Sequence, residues 1–235
     1  MAGPNMGAGD KERFASLDHI RGLSILGILI VNALAFAQPF DVYINAPHSP
    51  VPLTAADDVA WWAVETFARA KLITLFSMLF GVSLFLVGET NPPGVMVWQT
   101  PLFRRLAWLT VFGVIHGAVI WLGDVLLLYA VTGFVFWQWR GRSGPWLLAT
   151  GVALYLINFA VLPLFGYLAG DAPAPDASAP DLGPQIAQMR SGFLGSLAGN
   201  FSQWKNLILL EVAGFLAQTL SLMMIGLGLF KTGFL

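Results

Sequence analysis

The residues of this sequence that are equipped for chemistry stand inside or at the edges of long apolar stretches. In chain order they are Asp18, Arg21, Asn32, Lys71, His116 and Asp124. Histidine and carboxylate side chains can exchange protons near neutral pH, and arginine and lysine can hold anionic groups such as phosphates. Acid–base catalysis, anion binding and proton transfer are therefore the chemistries that these residues allow.

Three of these residues share one face of the first helix that the pattern predicts. Asp18 and Arg21 are about 60° apart around the helix axis and can pair, as i,i+3 neighbours do. Asn32 points within roughly 20° of Arg21 and lies ~16 Å farther along the helix. Because lipid cannot satisfy such a polar stripe, other helices or water must meet it. The alternatives are that Arg21 reaches the lipid headgroups and that Asn32 only holds two helices together.

His116 and Asp124 form the second candidate group. His116 lies between Gly113 and Gly117, whose spacing lets another helix approach closely, so it either bonds across that interface or carries protons. Asp124 follows ~12 Å farther along, where it can also cap the next helix. A functional role and a packing role stay open for both residues.

Two basic residues at the start of the second apolar stretch differ in their neighbours. Arg69 lies four residues after Glu65, so the two are expected to form an i,i+4 ion pair. Lys71 has no such local partner. It is therefore a candidate for holding a substrate anion.

The composition decides which class of protein these residues belong to. Of the 235 residues, 57% are hydrophobic and only 11% are charged, whereas soluble domains carry roughly 25% charged residues. The chain has no cysteine and a formal net charge of −1, which excludes a disulfide scaffold and, without a basic block, nucleic-acid binding. No metal-binding spacing, phosphate loop, dinucleotide motif or serine elbow is present, so no metal is expected. The partner that this composition predicts is the lipid bilayer.

Six stretches come near the ~20 apolar residues that a helix needs to cross a bilayer. They cover residues 22–40, 72–88, 106–123, 125–139, 143–170 and 212–230. The third and fourth together would make a helix of ~51 Å, too long for one crossing, so a tight hairpin with Asp124 at its tip is expected. The sequence predicts an all-α, polytopic membrane bundle of about six transmembrane helices, forming one transmembrane domain over residues 1–235.

The distribution of lysine and arginine predicts the orientation. Eight of them fall on one side of the alternating topology, against two, Arg190 and Lys205, on the other, which predicts a cytoplasmic N-terminus. The loops at 41–58 and 169–190 then face outward, and the composition of the second predicts a flexible outer loop. The eight lysine and arginine residues on the side predicted to be cytoplasmic are Lys11, Arg13, Arg21, Arg104, Arg105, Arg140, Arg142 and Lys231.

The competing interpretation of the first stretch is a signal peptide cleaved after residues 35–37.

Three separated blocks of this chain resemble the bacterial YeiB-like family. They are the segment from Arg13 through Asp18-His-Ile-Arg21 to Asn32, the segment Lys71-Leu-Ile-Thr-Leu-Phe-Ser-Met-Leu-Phe-Gly81, and Arg104-Arg105-Leu with Gly113-Val-Ile-His116 and Gly123-Asp124-Val-Leu-Leu-Leu-Tyr129. Members of that family are longer, so the chain is expected to be the N-terminal part of a longer fold. The resemblance also implies a bacterial cytoplasmic membrane as the location.

More distantly, these blocks resemble the transmembrane acyltransferase superfamily. Its members include sugar O-acyltransferases and heparan-α-glucosaminide N-acetyltransferase, and they are similar in moving an acyl group from cytoplasmic acyl-coenzyme A to an acceptor on the far side. The sugar enzymes carry a histidine where this chain has Asn32. The heparan enzyme is similar in having the asparagine and a histidine shortly before a Leu-Thr-x-x-Asp segment, which implies a catalytic role for His48 and Asp57.

The resemblance implies an acyltransferase with acyl-coenzyme A as donor substrate and a carbohydrate or other small molecule as acceptor. Asp18, Arg21, Asn32 and Lys71 are then expected to bind the donor, and His48, Asp57, His116 and Asp124 to belong to the catalytic group. The hypothesis is that His48 is the base of acyl transfer and His116 a structural or relay residue. A transporter or proton-coupled permease and a non-catalytic membrane scaffold are the alternatives, and a homo-oligomer stays open.

Overall fold

All the regular secondary structure in the described residues is helical. The structure is a computed structural model, and it describes residues 8–44, 48–88, 100–168 and 181–234. Those ranges contain α-helices and no strand, as the sequence predicts. The helices are α1 (Ala8–Ala37), α2 (Phe40–Ile44), α3 (Ala55–Phe67), α4 (Arg69–Gly88), α5 (Pro101–Ile115), α6 (Leu126–Phe136), α7 (Gly144–Leu168), α8 (Gly183–Met189) and α9 (Phe193–Lys231).

Four of the described helical segments are long and apolar enough to cross a membrane. They are Ala55–Gly88, Pro101–Ile120, Gly144–Val161 and Phe193–Lys231, and Leu126–Trp139 is a shorter apolar segment. A helical membrane protein is therefore confirmed at the level of length and composition. Four segments, rather than six, meet that criterion within the described ranges.

The centre of the bundle is the second half of α9, which packs against α4, α6 and α7. Close approach depends on glycine, because a Cβ atom at Gly226 would overlap the backbone of Met78, and one at Gly81 would overlap the backbone of Met223. Small residues let membrane helices pack backbone against backbone in this way. The buried core around this contact includes Leu84, Leu106, Tyr129, Phe136, Met223 and Leu227.

The hairpin predicted between residues 106 and 139 is confirmed. Helix α5 continues into a π-helical turn, His116–Ile120, and α6 begins at Leu126 after a short non-helical link that contains Asp124. Gly113 lies against the backbone of Leu127 on α6, and Gly117 lies against Trp204 on α9. The predicted close approach at the two glycines is therefore also found, with a different partner helix at each.

Local capping explains where two of the helices begin. Thr54 and Asp57 form a capping box at the start of α3, each side chain bonding to the backbone of the other. Thr100 accepts a hydrogen bond from the Phe103 backbone, and Pro101 occupies the first turn of α5, where its missing N–H costs nothing. In the segment predicted as a flexible outer loop, residues 181–190 contain the short helix α8, and residues 169–180 lie outside the described residues.

Candidate functional site

Two histidine–aspartate pairs stand near one end of the bundle. The first joins Nδ1 of His116 to Oδ1 of Asp124 at 2.9 Å. Eight residues of regular helix would place the two side chains about 80° apart. The π-helical turn and the link after it bring the chain back, so that the aspartate meets the ring.

Asp124 also holds the start of α6. Its Oδ1 and Oδ2 accept hydrogen bonds from the backbone N–H groups of Leu126 (3.1 Å) and Leu127 (2.9 Å). The side chain is fully buried, while 31% of the His116 side chain stays exposed. The carboxylate therefore satisfies otherwise unbonded N–H groups of a helix N-terminus and fixes the imidazole at the same time.

The π-helical turn that carries His116 is held from outside by α9. The Asn200 amide donates hydrogen bonds to the carbonyl oxygens of Gly117 (2.8 Å) and Ala118 (3.1 Å). A π-helical turn leaves the ordinary hydrogen-bond pattern and therefore needs such partners. Nothing in the spacing of Asn200, more than 80 residues away, predicts this contact.

The second pair lies in the segment between α1 and α3. Nδ1 of His48 is 2.6 Å from Oδ2 of Asp41, and the side chains are 32% and 34% exposed. Asp41 lies in the first turn of α2. Their sequence neighbours Val42 and Ser49 line a cavity of about 440 Å³ that is also lined by Trp61 of α3.

Asp57, which the resemblance associates with His48, makes its hydrogen bonds elsewhere. Its Oδ2 accepts from the Thr54 backbone N–H at 2.8 Å and from the Thr54 hydroxyl at 2.6 Å. The residue that meets His48 is Asp41, a partner that sequence reasoning missed. The motif Thr54-x-x-Asp57 already had the spacing of a capping box, which explains its place at the start of α3.

A second cavity, of about 420 Å³, lies where α1, α2, α4, α9 and the α5–α6 link meet, and its walls are mostly apolar. Asn32, Tyr43, Arg69 and Glu211 provide its polar side chains, and the neighbours of Asp124 on both sides, Gly123 and Val125, line it as well. We call this space the junction cavity. Its volume is in the range of small-molecule sites.

Arg69 connects the wall of the junction cavity to α2 and α3. It forms the predicted ion pair with Glu65, donates a hydrogen bond to the Tyr43 carbonyl oxygen at 2.8 Å, and its guanidinium lies 4.2 Å from the centre of the Tyr43 ring. The Tyr43 hydroxyl approaches the Asn32 side-chain oxygen at 3.4 Å. Burial raises the pKa of Tyr43, although the charge of Arg69 partly opposes this, so the phenol stays protonated as a donor.

The residues predicted to bind the donor are not brought into one group. Arg21 and Asp18 form the predicted ion pair at 3.4 Å on an exposed part of α1. Asn32 lies ~16 Å along the same helix, at the junction cavity. Lys71 forms no ion pair within the described ranges, and its Nζ donates a hydrogen bond to the Glu65 backbone carbonyl oxygen at 3.3 Å.

Arg21 and Lys71 extend towards opposite ends of the bundle. Helices α1 and α4 run antiparallel, since Gly27 lies against Leu72 while Val31 and Asn32 share a cavity with Arg69. In this structure Arg21 pairs with Asp18 and Lys71 bonds to the Glu65 carbonyl oxygen, so the two side chains do not meet at one anion site. Within the described ranges, no three His, Asp or Glu side chains are placed to hold a metal ion.

Comparison with known proteins identifies bacterial relatives. The uncharacterized protein YeiB of Escherichia coli (strain K12) is 34% identical over 231 residues, which are 95% of this chain and 57% of that protein. The uncharacterized protein YxaH of Bacillus subtilis (strain 168) is 36% identical over 155 residues, 62% of this chain and 37% of that protein.

A third relative is an uncharacterized 39.9 kDa protein from the amylase 3′ region of Bacillus acidopullulyticus, which is 33% identical over 125 residues, 53% of this chain and 33% of that protein. The chain thus spans between 33% and 57% of the length of these curated relatives. No family model and no solved structure matches it.

Proposed function

The chain belongs to the YeiB-like family of bacterial proteins, and we propose that it is a membrane acyltransferase. It moves an acyl group from cytoplasmic acyl-coenzyme A to an acceptor on the outer side of the cytoplasmic membrane. The observation that carries the proposal is the His48–Asp41 pair, an imidazole oriented by a carboxylate outside the apolar helices. Acyl transfer to a hydroxyl or amine needs such a base.

The pair supports a complete proton path. With the Nδ1 proton donated to Asp41, Nε2 of His48 is the free acceptor nitrogen. It takes the proton of the acceptor hydroxyl or amine as the acceptor oxygen or nitrogen bonds to the thioester carbonyl. The carbon–sulfur bond then breaks, and the coenzyme A thiolate leaves with the proton that His48 returns.

The donor is proposed to approach from the other end of α1. Arg21 offers a planar guanidinium that can hold a phosphate with two hydrogen bonds, and Asp18 orients it. The ~16 Å between Arg21 and Asn32 along the helix leaves the phosphate end of an extended donor in the cytoplasmic half and its acyl end near the junction cavity. Lys71 does not take part in this arrangement, because its side chain extends away from Arg21.

Binding of radiolabelled acetyl-coenzyme A to the purified protein in nanodiscs tests the donor site. Arg21→Lys keeps the charge but loses the planar fork, so it should weaken binding, and Arg21→Ala should weaken it more. Arg190→Ala removes an exposed arginine at the end of α8 and serves as the matched control. Wild-type affinity in Arg21→Ala would remove Arg21 from the proposal.

The proposal includes six spans with a cytoplasmic N-terminus. Helix α1 and the shorter α6 would join the four segments that meet the criterion of length and apolarity. At ~58 Å, α9 exceeds the ~30 Å of hydrocarbon, so its first half would lie on the outer side beside α8.

Since the chain has no cysteine, single cysteines can report the orientation. Ser49→Cys should react with an impermeant maleimide from outside, and Ser143→Cys should not. The reverse pattern would invert the topology.

A proton-coupled permease is the second candidate, favoured by the carboxylates around the junction cavity. Glu211 lines that cavity, and the buried Asp124 lies between two of its lining residues. If the cavity is a proton path, Glu211→Gln should abolish proton uptake by proteoliposomes in the absence of acyl-coenzyme A. An acyltransferase should show no such uptake in the wild-type protein.

A further inference from the structure

A groove of about 690 Å³ runs along an exposed face of α5. We call it the α5 groove. Among the described residues it shares no lining residue with the junction cavity or with the cavity near His48, so it is a separate feature of the surface. Its lining residues all belong to α5 and are Pro101, Arg104, Arg105, Trp108, Leu109 and Phe112.

The α5 groove is charged at one end and apolar along the rest. Arg104, Trp108 and Phe112 follow one another at intervals of four residues, so their side chains share one face of the helix. Arg105 and Leu109 form a second row beside them at the same spacing. Phe112 lies ~12 Å beyond Arg104 along the helix axis. The groove therefore offers two cations at the start of α5 and about two turns of apolar surface after them.

The two arginines are available to hold an anion. Both side chains are exposed, and within the described ranges neither Arg104 nor Arg105 forms an ion pair or a side-chain hydrogen bond. Arg21, by contrast, pairs with Asp18. Each guanidinium has a planar fork of N–H groups that matches two oxygens of a phosphate. Two adjacent residues of this kind favour a phosphate as the anion.

The surroundings of the arginines add to the positive charge. The rings of Phe103 and Phe134 are 5.6 Å apart, so the start of α5 lies beside the end of α6. Arg140 follows the end of α6, where its guanidinium lies 3.2 Å from the centre of the Trp137 ring. Arg142 comes two residues later. This end of the bundle therefore attracts anions beyond what the groove itself contributes.

The apolar part of the α5 groove is aromatic. The rings of Trp108 and Phe112 stack with their centres 5.8 Å apart, and these side chains are 58% and 55% exposed. They belong to Pro101–Ile120, one of the segments that are long and apolar enough to cross a membrane. In a bilayer, such rings face acyl chains, and a tryptophan near a helix end lies at headgroup level. The ligand that fits is thus amphipathic.

We propose that the α5 groove binds an anionic phospholipid such as phosphatidylglycerol. Its phosphate is held by Arg104 and Arg105, and one acyl chain lies along Trp108 and Phe112. Phosphatidylethanolamine has the same phosphate, but its ammonium group cancels the charge and is repelled by the arginines, so it should bind more weakly. The site does not depend on acyl transfer, for which the donor is proposed to bind at Arg21.

Native mass spectrometry of the purified protein in detergent with equal amounts of phosphatidylglycerol and phosphatidylethanolamine tests the inference. The wild type should bind phosphatidylglycerol about tenfold more tightly. The double variant Arg104→Gln/Arg105→Gln should lose that preference, because charge-assisted hydrogen bonds to the phosphate are removed. Arg190→Gln/Lys205→Gln is the matched control, since it removes the same charge from two exposed residues of α8 and α9, and it should keep the preference.

A second measurement locates the acyl chain without altering the arginines. Phosphatidylglycerol with brominated chains, at a small fraction in phosphatidylethanolamine nanodiscs, should quench the fluorescence of the wild type more than that of Trp108→Phe. The difference isolates Trp108 among the nine tryptophans. Millimolar inorganic phosphate should not reverse the quenching, because it has no chain to lie along the rings. Reversal by phosphate would show a simple anion site and overturn the lipid.

Stability separates lipid binding from folding. Because the substituted arginines are exposed, Arg104→Gln/Arg105→Gln should melt like the wild type in detergent alone. Added phosphatidylglycerol should raise the melting temperature of the wild type and of the control variant, and leave that of the double variant unchanged. Equal affinity of the wild type for the two lipids, or an equal loss of preference in the double variant and the control, would overturn the proposal.

Discussion

The two histidine–aspartate pairs are alike in the ring and different in the carboxylate. Both join an imidazole Nδ1 to a carboxylate oxygen, at 2.6 Å for His48–Asp41 and 2.9 Å for His116–Asp124, and both imidazoles are about one third exposed. The carboxylate of Asp41 is 34% exposed, whereas that of Asp124 is fully buried. Asp124 also accepts two backbone hydrogen bonds at the start of α6.

We propose that this difference in burial and bonding gives the two pairs different roles. The Asp124 carboxylate stabilises the start of α6 and the link before it. We therefore assign a structural role to Asp124 and to His116, which bonds to it. A carboxylate at the surface of a short segment has only the imidazole to orient. Under the proposed function, the same two residue types would form a structural pair within the bundle and a pair that transfers protons outside it.

The largest expected effect on stability distinguishes the two aspartates. Asp124→Ala removes a helix cap and leaves buried polar groups without partners, so it should lower the free energy of unfolding by about 3 kcal/mol. Asp41→Ala breaks a partly exposed pair and should cost less than about 1 kcal/mol. Denaturation in mild detergent, followed by circular dichroism, measures both. Equal losses would remove the distinction between the pairs.

The second effect is on catalysis and belongs to Asp41. Asp41→Asn keeps the size of the side chain but no longer holds the imidazole as a carboxylate does, so acyl transfer should fall about ten- to a hundredfold. The fall should appear in kcat rather than in the KM for acetyl-coenzyme A. Asp58→Asn, an exposed change in the first turn of α3, is the control. Unchanged kcat in Asp41→Asn would leave His48 without a positioning partner.

The smallest effect concerns the capping box of α3. Thr54→Ala and Asp57→Ala should each cost about 1 kcal/mol of stability, the usual value of a helix cap. Neither should change the transfer rate of the folded protein, because Asp57 bonds to Thr54 and not to His48. A larger fall in transfer than in stability for Asp57→Ala alone would return that residue to the catalytic group, as the distant resemblance implies.

Contacts within a regular helix could be predicted from the sequence. The Asp18–Arg21 and Glu65–Arg69 pairs follow from helical periodicity, and the hairpin at Asp124 follows from the length limit that a bilayer sets. The membrane class of the protein and its all-helical fold follow from the apolar composition and the length of the apolar stretches, because a bilayer sets both requirements. The capping role of Asp124 was among the alternatives and is the one that its backbone hydrogen bonds bear out.

Contacts that depend on irregular backbone could not be predicted in this way. The His48–Asp41 pair depends on the turn after α2. The His116–Asp124 contact depends on a π-helical turn, which the hydrophobic periodicity of the sequence does not predict. Asn200 reaches that turn from a helix more than 80 residues away. A cavity of about 290 Å³ likewise collects Gln38, Gln185 and Gln203 from three segments of the chain, so its composition becomes visible only in the folded chain.

The most direct test of the assignment compares His48→Ala with His116→Ala in one preparation, measuring acyl transfer per folded molecule and melting temperature. The account predicts that His48→Ala lowers transfer by roughly 10²- to 10⁴-fold, the usual contribution of a general base, at an unchanged melting temperature. His116→Ala should lower the melting temperature and leave transfer per folded molecule close to that of the wild type. If His116→Ala abolishes transfer in a protein that melts normally while His48→Ala stays active, the roles of the two pairs are reversed.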